Sequence, residues 1–218
     1  KLSEIAVSVP GSTSLLRKYD LDFCCGGSDT LANAAAEKGL NLAEIETRLT
    51  ELQNSKAENP EEYWVNATYP EIIDHILVRY HQRHREQLQE LIVLADRVES
   101  VHGDREDCPM GVAAELRNVY EDLSNHMMKE EHVLFPMIKA GNYMKAQMPI
   151  RMMEMEHAEH GEHLDVLKSL TNNMTPPVDA CNTWRALYSG IQEFADDLMM
   201  HIHRENNILF PRVIAENH

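Results

Sequence analysis

The sequence predicts an all-α protein, an up-down-up-down four-helix bundle preceded by a small helical unit. Three observations predict it. The stretch Asp122 to Pro136, of form D-L-x-x-H-x-x-x-E-x-x-h-L-F-P with h aliphatic, recurs as Asp197 to Pro211. Upstream of each copy stands H-x-x-H-x-x-x-L, as His81, His84 and Leu88 and again as His157, His160 and Leu164. Long stretches fit to be helical are separated by breakers that carry Gly or Pro. An internal repeat constrains the fold before any local reading. The repeating unit is a helix pair, one member carrying H-x-x-H and the next D-x-x-x-H-x-x-x-E. Two such pairs give four helices, and short loops make sequence neighbours antiparallel.

In chain order, residues 1–52 read as the small unit. Ser12 to Tyr19 forms a short helix, Asp29-Thr30 caps a second from Leu31 to Lys38, Gly39 ends it, and Leu42 to Leu52 forms a third. Between the first two lies the turn Phe23-Cys24-Cys25-Gly26-Gly27. Residues 53–68 have linker composition. The bundle takes residues 69–218. Its first helix starts on Thr68 with Pro70 in the first turn and Glu71 at the third position, and it runs to about Val101. The second starts near Met110, and Pro136 is expected to kink or end it, with a further turn over Met137 to Ala140. Gly141-Asn142 and Pro149 bound the next loop, so the third helix is expected from about Ile150 to Leu170. Pro176-Pro177 breaks the chain again, and the fourth runs from about Ala180 to Phe210.

Composition narrows the function classes. The chain has 218 residues, 36 acidic against 20 basic, and a formal net charge of -16. That disfavours nucleic acid and anionic membranes as partners, since both need a basic surface. An acidic field attracts cations instead. No apolar run approaches the ~20 residues of a membrane span, and no signal peptide is evident. The four cysteines include an adjacent pair, unlike a secreted disulfide framework, so a reducing, cytoplasmic setting is expected. The methionine pairs Met127-Met128, Met152-Met153 and Met199-Met200 read as core filler.

The repeated motif carries the chemistry. Asp, His and Glu spaced four apart lie along one helical face. Two such helices, with the H-x-x-H helices facing them, direct imidazoles and two carboxylates into one interior. Such a set matches a dinuclear metal site in which Glu130 and Glu205 bridge. Mixed nitrogen and oxygen donors without thiolate suit iron or manganese better than structural zinc. Asp122 and Asp197, one turn before His126 and His201, are placed to accept the free N–H of a ligating imidazole on a facing helix. His84 and His160 are candidate donors behind the ligands, and Glu156 a lining of a polar route to the metals. His75, His132, His163 and His203 read as structural or exposed.

The signature H-x-x-x-E-x-x-h-L-F-P resembles that of hemerythrin-like bundles. Arg17 to Gly27, R-K-Y-D-L-D-F-C-C-G-G, resembles the small domain that precedes such a bundle in the di-iron proteins of iron–sulfur cluster repair (the repair of iron centres family). The resemblance extends over essentially the whole chain, through Ile72-Ile-Asp-His75, His126-Met-Met-Lys-Glu130-Glu131 and Asn172-Asn173 with Pro176-Pro177. It implies a hemerythrin-like four-helix bundle and, as ligands, His81, His126, His157 and His201 with Glu130 and Glu205 as bridges. It further implies two non-haem iron ions with an oxo or hydroxo bridge, His126 and His157 holding one iron, and His81 and His201 the other.

Three functions follow from such a site. One is repair of clusters damaged by nitrosative or oxidative stress, by iron donation or NO chemistry, with damaged iron–sulfur proteins or their assembly machinery as partners. Another is an NO-reducing enzyme forming N2O. The last is an O2-binding carrier or sensor, disfavoured by six protein ligands against the seven of oxygen-carrying hemerythrin. Cys24 and Cys25, on glycine-rich backbone, are expected to approach the metal entrance and exchange NO or iron there; a disulfide between neighbours would be strained and easily reduced. Cys108 and Cys181 look incidental. A homodimer in which one subunit's cysteines serve the other's metals is also compatible with this arrangement.

Overall fold

Capping and apolar periodicity set the helices. The computed structural model describes residues 1–55 and 59–216, and these residues contain helices and no strand. The N-terminal unit holds α1 (Leu2–Ser8), α2 (Ser12–Lys18), α3 (Leu31–Glu37) and α4 (Leu42–Asn54). Thr30 caps α3 by accepting from the Asn33 amide, and Asn41 caps α4 in the same way through Glu44. The sequence reading did not anticipate α1, which buries Leu2 and Ala6.

Part of the predicted linker is helical. Helix α5 (Pro60–Asn66) starts on Asn59, whose side chain accepts from the Glu61 amide, with Pro60 in the first turn. Glu61 is buried against Arg204, at 2.5 and 3.3 Å, and that guanidinium also lies over the Trp64 ring. Burying this ion pair outweighs the polar composition that reads as linker. Residues 56–58 lie outside the described residues.

Four long helices make the bundle. Helix α6 comprises Tyr69–His75, a π-helical turn Ile76–His81, and Gln82–His102. Its start is the expected capping box, with the Glu71 carboxylate accepting from the Thr68 amide at 2.8 Å. Helix α7 comprises Val112–Lys129, a π turn Glu130–Leu134, and Phe135–Lys139. Helix α8 is Tyr143–Leu170, and α9 comprises Asn182–Arg204, a π turn Glu205–Leu209, and Phe210–Ala215. Helix α6 packs on α7 and α9, and α7 on α8; α8 and α9 meet less extensively along their length.

Three expectations about proline change. Pro136 does not end α7, nor Pro211 α9, because each follows a π turn that has already shifted the hydrogen-bond ladder, so a missing N–H costs little there. Pro149 lies inside α8 rather than bounding a loop. An interior proline costs ~3 kcal/mol. Burial of Ala146 and Ile150 among Ile72, Ile73 and Phe210 offsets it. Of the methionine pairs, Met127 and Met153 are core, while Met128 and Met152 are exposed.

Two apolar clusters fill the bundle. One joins Leu88, Leu91, Leu116, Leu123, Trp184 and Phe194 to Leu16 and Phe23 of the N-terminal unit. The other gathers Ile72, Ile76, Phe135, Ile150, Leu209 and Phe210. Between them, in sequence and in space, lies a layer of buried histidines and glutamates.

Removing one partner of a buried ion pair costs about 3–5 kcal/mol, against ~0–1 kcal/mol at a surface. Glu61→Ala is therefore expected to lower stability by about 3–5 kcal/mol in urea unfolding. A loss under about 1 kcal/mol would mean that Arg204 remains solvated.

Candidate metal centre

The histidine–glutamate layer is built where helical register changes. The π turn in α6 ends at His81, and those in α7 and α9 begin at Glu130 and Glu205. A π turn inserts one residue and re-aims the side chains around it, and such turns cluster at functional sites. His81, His126, His157, His201, Glu130 and Glu205 are each at most 1% exposed.

The six form two sets that share both carboxylates. His81, Glu130, His201 and Glu205 make one; His126, Glu130, His157 and Glu205 make the other; in each, the candidate ligand atoms lie within 4.8 Å of one another. Glu130 Oε2 is 3.3 Å from His81 Nε2 and 3.4 Å from His126 Nε2. Glu205 stands 3.1 Å from His157 Nε2 and 3.2 Å from His201 Nε2.

Outer contacts orient the rings. Glu131 Oε1 lies 2.8 Å from His81 Nδ1 and also receives Arg85. Glu156 Oε2 lies 2.9 Å from His126 Nδ1, and its other oxygen receives Lys129. Asn206 Oδ1 lies 2.8 Å from His157 Nδ1. Because a carboxylate or amide oxygen only accepts, Nδ1 carries a proton in all three rings, and Nε2 is the nitrogen that faces inward. His201 differs: among the described residues its Nδ1 has no hydrogen-bond partner, and Tyr80 stacks on its ring at 5.3 Å.

The layer fits a cation. Among the described residues, both oxygens of Glu130, Oε2 of Glu205 and Nε2 of His81 are buried without a well-aligned hydrogen-bond partner, although imidazole nitrogens crowd the carboxylates. His126 Nε2 and His157 Nε2 face each other at 3.1 Å, so either a proton on one of them or a cation beside both must relieve the contact. Without a cation, protons must balance the carboxylates. Burial pushes the His81 imidazole down, but Glu130 and Glu131 more than offset it and hold it at about 9. Burial likewise acts on His157, and Glu205 raises it to about 9. Burial raises the Glu205 carboxyl, yet His201 and His157 hold it well below its ordinary value. Cations bound among these atoms would satisfy every one of these demands.

The outer residues sort differently from their sequence reading. Asp122 does not orient a ring of the layer but meets His163 Nε2 at 3.0 Å, a ring whose Nδ1 meets Glu115. It lies at the exposed α7–α8 surface, where the His163 ring on α8 takes up its carboxylate. Asp197 receives Arg79 and Gln87, and Gln87 in turn reaches His84 Nδ1, so it acts behind His84 and not on a ligand. Burial drives the His84 imidazole well below its ordinary value. Glu156 holds His126 directly; with Asp122, Lys129 and His160 it also lines a surface cleft of about 200 Å³. His203, buried, receives the Asn207 amide and sits near Glu61.

Glu131, Asn206 and Gln87 escaped the sequence reading. The duplication held a signal for the first two: each directly follows a shared carboxylate, at matching positions of the repeat.

The N-terminal unit reaches the same layer. Cys25 Sγ donates to the His157 carbonyl oxygen at 3.2 Å, and Asn206 Nδ2 donates to the Cys24 carbonyl at 3.0 Å. Both thiols are free, with their sulfurs 3.8 Å apart. These contacts lie within one chain, so the geometry does not require service across a dimer. The far pair is separate: His102 Nε2 lies 3.3 Å from Cys181 Sγ.

A four-helix bundle with a buried imidazole–carboxylate layer defines a cation-binding helical protein. Residues 72–213 match the hemerythrin HHE cation binding domain, and residues 1–53 match the Domain of Unknown function (DUF542). A "Probable iron-sulfur cluster repair protein" of Haemophilus influenzae is 67% identical over 216 residues, 99% of this chain and 97% of that protein. The "Iron-sulfur cluster repair protein YtfE" of Escherichia coli O81 is 56% identical over 215 residues, 98% of this chain and 96% of that one. Its namesake from Musicola paradisiaca is 54% identical over 214 residues, 98% and 95% of the two chains. The chain belongs to this iron–sulfur cluster repair family and carries a hemerythrin-type cation-binding domain. No helix among the described residues is long and apolar enough to cross a membrane.

Asn206→Ala removes the side chain that ties Cys24 to His157. Amide exchange at Cys24, Cys25 and Gly26 is expected to accelerate severalfold, read by hydrogen–deuterium exchange; unchanged protection would mean that the turn is held by other contacts.

Proposed function

We propose that this protein holds two non-haem iron ions, joined by an oxo or hydroxo bridge, and uses them in the cytoplasm to restore iron–sulfur clusters damaged by nitrosative or oxidative stress. The observation that carries the reading is the pair of four-residue sets sharing Glu130 and Glu205. His126 and His157 would hold one ion, His81 and His201 the other, and both carboxylates would bridge. When bound, the ions supply Lewis-acid and one-electron chemistry. The names of the relatives support the repair role, with damaged iron–sulfur proteins or their assembly machinery as clients.

The chain's own residues favour iron donation. The donor set has no thiolate to lock an ion in place. Its two halves also differ: carboxylates steady His81 and His126, the Asn206 amide steadies His157, and nothing steadies His201 Nδ1. Losing such an outer contact typically weakens a metal site about 10–100-fold. The ion on His81 and His201 is therefore the one released first. Glu156, lining the cleft beside His126, would border a polar route for ions. The Cys24-Cys25 turn, against His157, would exchange NO or iron at the centre.

A second reading, NO reduction to N2O, is favoured by the shared carboxylates, which would hold two ions in one chamber and bring two NO molecules together. N2O formed by the reduced protein over many turnovers would favour an enzyme, and arrest after one turnover the donor. Reversible oxygenation would instead mark a carrier.

Iron content of anaerobically purified protein tests the primary reading. Two irons per chain are expected, with loss in His126→Ala; a single iron, or zinc in its place, would overturn it. Glu156→Ala and Glu131→Ala are each expected to weaken iron binding about 10–100-fold in chelator competition. Asp122→Ala should leave it unchanged, because the hydrogen bond of Asp122 goes to His163, outside the layer. Equal losses in all three would refute the outer-contact assignment.

A further inference from the structure

We propose that Asp22, Cys24 and Cys25 form a second, mononuclear cation site beside the histidine–glutamate layer, and that a ferrous ion passing to or from that layer pauses there. The site itself stands on local geometry; the pausing role rests on the function proposed above.

Asp22, Cys24 and Cys25 present a carboxylate oxygen and two sulfurs within 4.8 Å of one another. The sulfurs are 3.8 Å apart. Two thiolates on one tetrahedral divalent ion, each at ~2.3 Å, stand ~3.8 Å apart, so these side chains need little movement to close on a metal. Asp22 Oδ1 now receives the Cys24 thiol at 3.2 Å, and an ion would take the place of that proton between sulfur and oxygen.

The backbone holds this arrangement before any ion arrives. Asp22 Oδ1 accepts the amides of Cys24 and Cys25 at 3.0 and 2.9 Å, and Oδ2 that of Gly26 at 2.8 Å. A Cβ on Gly27 would come within 2.5 Å of the Phe23 carbonyl oxygen, so only glycine lets the turn close. Asp20 cannot compete for the ion, because Lys38 and Lys168 already neutralise it.

The site opens outward and abuts the layer inward. Asp22, Cys24 and Cys25 line a cavity of about 460 Å³ between the N-terminal unit and helices α8 and α9. Three protein donors leave a coordination position open to this cavity, as exchange with an incoming ligand requires. Cys25 Sγ donates to the His157 carbonyl oxygen, so the site abuts the helix that carries a residue of the layer. Uptake is ligand exchange without electron transfer: the two thiol protons leave to water as the ion binds and return when it departs.

Cadmium, which gives thiolate-to-metal absorption in the ultraviolet, is the probe on the metal-free full chain. The double variant His126→Ala, His201→Ala dismantles the histidine–glutamate layer; it should still take up one cadmium with thiolate absorption. Cys24→Ser with Cys25→Ser should lose that absorption although Cys108 and Cys181 remain, and helical circular dichroism equal to that of the unaltered chain shows that it folds. Absence of the absorption in the histidine variant, or its persistence in the cysteine variant, would overturn the site. For the pausing role, iron transfer from the loaded chain to an external chelator should slow severalfold in the cysteine variant, and an unchanged rate would overturn it. Should iron fail to load anywhere while the cadmium absorption follows the cysteines, the proposed function falls and the thiol site stands.

Discussion

Two carboxylates buried between two apolar clusters are the constraint from which the rest of this structure follows. Glu130 and Glu205 are fully buried, and an uncompensated buried carboxylate is far too costly to keep. Four imidazoles surround them, and every ring but one is fixed from behind by an oxygen acceptor. Those acceptors are in turn held by Arg85, by Lys129 and by the N-terminal unit. The charge needed at the centre thus propagates outward through three layers of side chains. The π turns serve the same end. They stand at His81, Glu130 and Glu205, so the helical register changes at the layer itself.

Duplication made the layer two-fold in outline, and divergence made its halves unequal. Glu131 and Asn206 occupy matching positions and do matching work, one with a charge and one without. Glu156 and Tyr80 also match, each preceding the first histidine of an H-x-x-H pair. There the chemistry parts: Glu156 accepts a hydrogen bond from His126, whereas Tyr80 only stacks on His201.

The bundle and the six inward residues were legible because they repeat: spacing four apart on a helix fixes a common face whatever the tertiary detail. What escaped depended on register or on distant partners. Asp122 and Asp197 share the spacing of the inward residues, but their partners lie on other helices: His163 holds Asp122, and Arg79 and Gln87 hold Asp197. The partners of Glu61 lie far along the chain, so polar composition alone made its helix look like linker. Pro149 misled because an interior proline is a local cost, and the burial that offsets it is supplied by other helices.

The N-terminal unit shows why this bundle does not act alone. Asn206 has one amide and uses both ends of it: the oxygen fixes His157, and the nitrogen holds the Cys24 carbonyl. A shift of the cysteine turn must therefore pull on a ring of the central layer, and a change at that ring must be felt at the turn. The neighbouring Asn207 repeats the attachment through the Phe23 carbonyl, while its other contact reaches His203. Phe23 itself is buried in the same apolar cluster as Ile202. Apolar burial thus fixes the unit's position, and two adjacent asparagines, lying directly after a shared carboxylate, convert that position into a mechanical link between the thiols and the metal layer.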